Sequence, residues 1–279
     1  MPIFMPSFSR NMAVHHSANY PQGVGLLDGA TILITGILTK RSIAFAAAER
    51  AIAEGATVIA TSFGRAMEVT QRAVSSLDAP IQLVELDVTN DDHLASLPER
   101  LGVAHLDGVV HAIAGGSPST LGDDLSIASV SEVLQTLQIS ATSLAALTFA
   151  LKPLLAQAPG GASVVALSFA PDRVWPGYGW MGVAKGTLGS IVRSLAVQLG
   201  PENIRINVVD AGPLRTPAAR AIPGAGAGVA QWSHHAPLGW DVDDRAPVAA
   251  AIIALLSDLF SATTGASIVV DGGLHAVGR

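Results

Sequence analysis

The feature that most constrains this chain is an alternation. Short, β-branched apolar runs stand at residues 31–35, 57–61, 81–86, 108–113, 163–169, 204–209 and 267–270. Between them lie longer Ala/Leu-rich stretches with helical patterning, notably 42–54, 129–156, 181–199 and 244–256. Each short run is nearly continuous in apolar residues, as a strand covered on both faces must be. Strand, helix and strand repeated about six times demands crossover connections, and these build parallel sheets with helices on both sides. The expected fold class is therefore α/β: one doubly wound domain around a seven-stranded, mostly parallel sheet. It spans residues 26–279. Residues 1–25 mix Pro, Ser, Asn and His with no apolar segment behind a basic start, and read as a flexible tail rather than a secretory signal.

Composition narrows the function. Hydrophobic residues make up 49% and charged residues only 14%, against about 25% charged in ordinary globular chains. Disorder is excluded, and a large core with further burial between subunits is expected. No apolar run approaches the roughly 18 residues of a membrane span. With no cysteine present, disulfides, thiolate metal sites and thiol nucleophiles drop out. A net charge of −6 without a basic run argues against nucleic acid or an anionic membrane as partner. Without a targeting segment the expected compartment is the cytoplasm.

Ligands of such sheets bind at the carboxyl ends of the strands. The first end reads Thr35-Gly36-Ile37-Leu38-Thr39-Lys40-Arg41-Ser42-Ile43-Ala44. One glycine is too few for the G-x-G-x-x-G dinucleotide fingerprint. Gly36 still permits a tight turn, and Ser42 is placed either to hold a pyrophosphate at a helix N-terminus or simply to cap that helix. The second end, Thr61-Ser62-Phe63-Gly64-Arg65, lacks the acid that usually binds an adenosine ribose. Phe63 offers a stacking face for adenine, and Arg65 a cation beside it. At the third end Asp87, followed by Val88, either accepts from an adenine amino group or caps the next turn. The Gly224–Gly228 run follows no strand and reads as a flexible loop.

The sharpest constellation follows the fifth strand. Tyr178 is the only tyrosine besides Tyr20 in the tail, and Lys185, one of three lysines, stands seven residues on. On a helix that spacing is nearly two turns, so both face one way about 10 Å apart with Met181 between them. A ribose fits across such a gap, with Tyr178 reaching past it to a substrate oxygen.

In the segments 36–44, 87–88, 106–111, 169–185, 211–216 and 262–273, the chain resembles the enoyl-acyl-carrier-protein reductases of the short-chain dehydrogenase/reductase superfamily, and within them the NADH-dependent mycobacterial-type branch. The tyrosine seven residues before the lysine marks the enoyl-reductase branch; ordinary short-chain dehydrogenases place it four before, where this chain has Met181. The resemblance implies a Rossmann-like domain and transfer of a hydride from NADH to the β-carbon of a trans-2-enoyl thioester. It implies Tyr178, Lys185 and Phe169 as the catalytic set, with Tyr178 and Met181 toward the substrate. The same resemblance carries nicotinamide and phosphate contacts to Ile43, Ile113, Ala114, Leu214 and Thr216, beside Gly36, Ser42, Phe63, Asp87 and Val88. The acyl thioester would ride on acyl-carrier protein or coenzyme A, and the assembly would be a homotetramer. No metal is expected.

Two departures bear on the substrate and a third on the cofactor. Ala112-Ile113-Ala114-Gly115-Gly116 replaces the family's usual Ser-Ile-Gly after the fourth strand. The substrate-covering stretch 215–240 is shorter than in the mycobacterial enzymes and carries Trp232, His234, His235 and Trp240. Gly64 stands where the nearest relative has an acid, which makes NADPH the alternative cofactor. A carbonyl or imine reductase on the same frame, and a dinucleotide-binding protein without turnover, are the alternative functions.

Overall fold

The computed structural model describes residues 25–224, 232 and 235–277. Seven strands form one sheet: β1 (Thr31–Ile34), β2 (Thr57–Ser62), β3 (Gln82–Glu85), β4 (Gly108–His111), β5 (Ala162–Ser168), β6 (Ile204–Ala211) and β7 (Ser267–Val270). Their order is β3-β2-β1-β4-β5-β6-β7, and every pairing is parallel. The Rossmann-like expectation is met. Residues 1–24 of the tail and residues 225–228 of the glycine-rich loop lie outside the described residues.

Strand alternation divides the core into two layers. Ile32 and Ile34 of β1, with Val110, Val165 and Val209, meet the alanine face of α1 (Ile43–Ala53) and the apolar α7 (Ala246–Leu256). Leu33, Val109, Val164 and Ile206 point the other way, onto Leu97 and Leu101 of α3 (Asp91–Leu101), Leu147 and Leu151 of α5 (Ser143–Leu155) and Leu188 and Leu195 of α6 (Gly179–Leu199). Small alanines of α1 cover the sheet on one face and leucines of α3, α5 and α6 on the other. The short α2 (Ala66–Val74) covers the outer end, where Thr70 Oγ1 donates to Ile37 O at 2.6 Å.

Two features differ from the sequence reading. The outer strands β3 and β7 are not buried on both faces; β7 is exposed at Ser267 and half-buried along the rest. An edge strand has only one strand neighbour, so its side chains need not all be apolar. The stretch 129–156 is also not one regular helix. It comprises α4 (Val130–Leu137), a π-helical turn (Gln138–Thr142) and α5. Ser129 starts it with a capping box to Glu132. By length and composition alone, Val130–Leu155 has the mean hydropathy of a membrane span, 1.3. Its leucines Leu144, Leu147, Leu151 and Leu155 are all at most 1% exposed within the domain, which is the pattern of a core helix.

Candidate active site

Strand order reverses between β1 and β4, which opens a crevice at the carboxyl ends of the sheet. A cavity of ≈ 1240 Å³ occupies it and runs from Phe63 and Asp87 at one side to Trp175 and Trp232 at the other.

On the β1–β3 side the wall is made by backbone. Gly36 has φ +80°, and a Cβ there would stand 2.1 Å from Ala112 O, so the turn needs glycine twice over. Thr35 Oγ1 donates to Val110 O at 3.0 Å and accepts from Ala112 N at 3.1 Å, tying the ends of β1 and β4 together. Ser42 does not take the capping role read from sequence. Its hydroxyl accepts from Leu38 N and Thr39 N, both at 3.1 Å, and makes no capping bond to α1. It folds the loop back and leaves the α1 N-terminus without a side-chain cap. Ser42 and Ile43 line the cavity at this point. Phe63 lies on the rim, 54% exposed. Asp87 and Val88 also line the wall, but Asp87 Oδ1 accepts from Thr89 N at 2.9 Å and Thr89 Oγ1 at 2.7 Å. Turn capping is thus one job of this carboxylate, and Asn90, not Asp87, caps α3. Arg65 is exposed and stands outside the cavity wall.

On the β4–β6 side the wall is made by side chains. Ile113 and Ala114 follow β4, Leu214 and Thr216 follow β6, and all four line the cavity. The π-helical turn props the β4 loop: Ser140 Oγ donates to Gly115 O at 2.9 Å and accepts from Gly115 N at 3.0 Å. Such turns are frequent at functional sites. Tyr178 sits at the N-cap of α6 with helical φ and ψ, and Met181 and Lys185 follow on the same cavity-facing side. Lys185 is 5% exposed and its Nζ donates to Leu167 O at 2.9 Å. Phe169 packs edge-on against Tyr178, with ring centroids 5.4 Å apart, and against Trp175 at 5.1 Å. Trp232 completes the group at 4.9 Å from Trp175. Both indoles are pinned, Trp175 Nε1 to Ala170 O at 2.8 Å and Trp232 Nε1 to Asp271 O at 3.1 Å.

The model of the family described as enoyl-(acyl carrier protein) reductase matches residues 36–275. The NADH enoyl-[acyl-carrier-protein] reductase of Mycobacterium avium is 42% identical over 264 residues, 89% of this chain and 97% of its own length. Its counterpart in Mycolicibacterium smegmatis is 40% identical over 265 residues, with the same coverage. An NADPH enoyl-[acyl-carrier-protein] reductase, FabI, of Staphylococcus aureus is 35% identical over 256 residues, 90% of this chain and 98% of its own. The chain belongs to the enoyl-acyl-carrier-protein reductase family.

For an enoyl reductase, the electrostatics of this wall are as telling as its shape. Burial raises the Tyr178 phenol above its ordinary range and the Asp210 charge adds to the rise, so the group is a neutral O–H donor at working pH. Burial lowers Lys185 to about 8, against the opposing pull of Asp210. His111, wholly buried, is pushed down to about 3 by desolvation and then by Lys185. Its Nε2 lies 2.9 Å from Ser143 Oγ, which itself donates to Ile139 O; Ser143 is left as the acceptor, so Nε2 carries the proton of the neutral ring.

The residues fit a nicotinamide dinucleotide: an uncapped helix start for a pyrophosphate, an aromatic face on the rim, and a buried ammonium two turns from a phenol. Sequence reasoning missed Asp210 and His111. The signal was there, an acid and a histidine inside otherwise apolar strands, but their convergence on Lys185 depends on strand register. Trp175 also went unassigned. His235 lines the cavity, while His234 lies outside the described residues.

Proposed function

We propose that this chain reduces trans-2-enoyl thioesters to saturated acyl thioesters with NADH, as a homotetramer in the cytoplasm, taking the acyl group on acyl-carrier protein or coenzyme A. The observation that carries the reading is the convergence of Tyr178 and Lys185 on one cavity with the uncapped α1 start, in a chain of this family. NADH is favoured over NADPH because Arg65, the cation nearest a 2′-phosphate in sequence, stands outside the wall, and because the two mycobacterial relatives are NADH enzymes by name. Exposed apolar residues on α4 and α6, among them Val130, Leu134, Val183 and Val197, support subunit contacts.

When bound, NADH supplies the hydride for the β-carbon, and one proton added at the α-carbon completes the saturated product. The protein's task is the negative charge that develops on the thioester oxygen. Tyr178 donates a hydrogen bond to that oxygen from a fixed position, which costs no reorganisation as the charge forms. Lys185 holds the ribose hydroxyls, and Ser42, Ile43, Gly36, Leu214 and Thr216 flank the phosphates and nicotinamide. Phe63, Asp87 and Val88 receive the adenine end. Phe169 and Met181 border the reacting carbons and restrict the pose.

The test is a steady-state assay with a crotonyl or octenoyl thioester, following the loss of NADH absorbance. Tyr178→Phe is expected to lower turnover on the order of 100-fold, the usual cost of one oxyanion donor, with NADH affinity nearly unchanged. Wild-type turnover in that variant refutes the role of Tyr178. Reduction of carbonyl or imine substrates in place of the enoyl thioester refutes the substrate class.

A further inference from the structure

Among the described residues, three buried side-chain atoms lack a hydrogen-bond partner: His111 Nδ1, Ser168 Oγ and Asp210 Oδ1. They are not scattered. His111 ends β4, Ser168 ends β5, and Asp210 lies one residue from the end of β6, on three adjacent strands. Ser168 and Asp210 are direct register partners. Lys185 reaches into this group from α6, since the carbonyl its Nζ binds belongs to Leu167, next to Ser168. Buried polar groups are normally satisfied; here Ser168 Oγ and Asp210 Oδ1 lack a well-formed bond, although the Ser168 hydroxyl still favours the Asp210 charge, so the group is held more by field than by pairing.

Around Lys185 the titratable groups are few. From β6 comes Asp210, whose Oδ2 accepts the Ser267 hydroxyl from β7. From β4 comes His111, neutral under this burial. From α6 itself comes Tyr178, a neutral phenol. Asp172, in the loop after β5, acts on Asp210 and opposes its ionisation, as does burial, while the Ser267 and Ser168 hydroxyls and the Lys185 charge favour it. One carboxylate therefore faces the ammonium, and the further charge, Asp172, acts on that carboxylate from the loop. No direct contact joins ammonium and carboxylate, and an ammonium has three donors, of which Leu167 O takes one. The other donors stay available on the cavity side.

We propose that Asp210 is a positioning residue of the reductase: its carboxylate is the counter-charge that keeps Lys185 an ammonium, and therefore able to hold the dinucleotide ribose, across the working pH range. A lone buried lysine sheds its proton readily. A direct salt bridge would cure that but would spend the donors the ribose needs. A carboxylate one strand away supplies the field without occupying the hydrogen bonds. The inference rests on the dinucleotide reading of Lys185 made above.

The experiment reads Lys185 itself. The chain has three lysines, Lys40, Lys152 and Lys185, so protein labelled with ¹³Cε-lysine gives three side-chain signals. Lys40→Arg and Lys152→Arg assign the third. In ligand-free wild type, Lys185 is expected to titrate near 8. In Asp210→Asn, which keeps an acceptor for Ser267 but no charge, the midpoint is expected to fall by about one pH unit, the lower end for a neighbouring opposite charge. The pH at which NADH affinity begins to weaken is expected to move with it, read by fluorescence titration. Asp210→Ser repeats the test should the asparagine variant fold poorly. A midpoint that stays in place in the folded variants overturns the proposal, as does an affinity profile that ignores a shifted midpoint. Enoyl reductase activity enters neither readout. Its absence alongside a shifted lysine would overturn the substrate assignment and leave the Asp210–Lys185 coupling standing.

Discussion

Phe63 and Lys185 line the same cavity, yet Phe63 is 54% exposed and Lys185 5%. The contrast extends to the strands around them. The ends of β1–β3 hold their shape through backbone: a glycine turn, a serine folded back on its own loop, and an aspartate tied into the turn that follows it. The ends of β4–β6 hold theirs through buried side chains, some of them without partners. A surface that grips a long, polar, exposed ligand can be built from amides at little cost. A surface that must stabilise transient charge needs fixed dipoles in a dry place, and these are expensive to bury. The first half of the cavity only grips; the second both grips the ribose and carries the reaction.

That division can be broken by four measurements. Lys185→Ala removes a charged hydrogen-bond donor and leaves Asp210 uncompensated. NADH affinity should fall by at least tenfold, about 1.5–3 kcal/mol, and stability should fall with it; an unchanged dissociation constant in calorimetry would place the grip elsewhere. Gly36→Ala meets both a carbonyl oxygen and a positive φ, so thermal unfolding should show a loss of about 1–3 kcal/mol. An unaffected melting temperature would mean that the β1 turn is not backbone-determined. The third is pH. His111 has a folded pKa of about 3 against 6.5 unfolded, so between those values the unfolded chain binds the proton and the native one does not. Stability is therefore full well above pH 6.5 and is lost as pH falls, by about 1.4 kcal/mol at pH 5.5. Urea titrations should show this slope, and His111→Gln should flatten it; an unchanged slope would remove His111 from the account. The smallest effect belongs to the exposed rim: Phe63→Ala should weaken NADH binding several-fold, about 1 kcal/mol, without moving the melting temperature.

The same division explains what could be read from the sequence. The central strands were legible because burial on both faces leaves a continuous apolar run, as in Val109-Val110 and Val164-Val165. The edges were less so, because β3 and β7 have only one neighbour and accept polar residues. Tyr178 and Lys185 were legible from spacing alone, since one helix carries both. Asp210 was not, because its meaning comes from Ser168 across the strand and Lys185 across the layer. The direction of the Ser42 hydroxyl was hidden too: a serine before a helix has the same sequence signature whether it bonds forward to the helix or back to Leu38. The π-helical turn left no mark, since an Ala/Leu-rich run satisfies both pitches.

That turn has a consequence for how this protein tolerates insertions and deletions. It adds one residue to a helix whose two halves grip different parts of the site, with Ser140 on the Gly115 loop and Ser143 on His111. Removing a single residue between Gln138 and Thr142 would take up the extra residue of the wide turn and restore a regular pitch, drawing Ser140 and Ser143 away from the positions the wide turn gives them. The two serines could then no longer both reach their partners. A one-residue change in this turn, whose Ile139 lines the same cavity as Tyr178, would unseat the loop beside it.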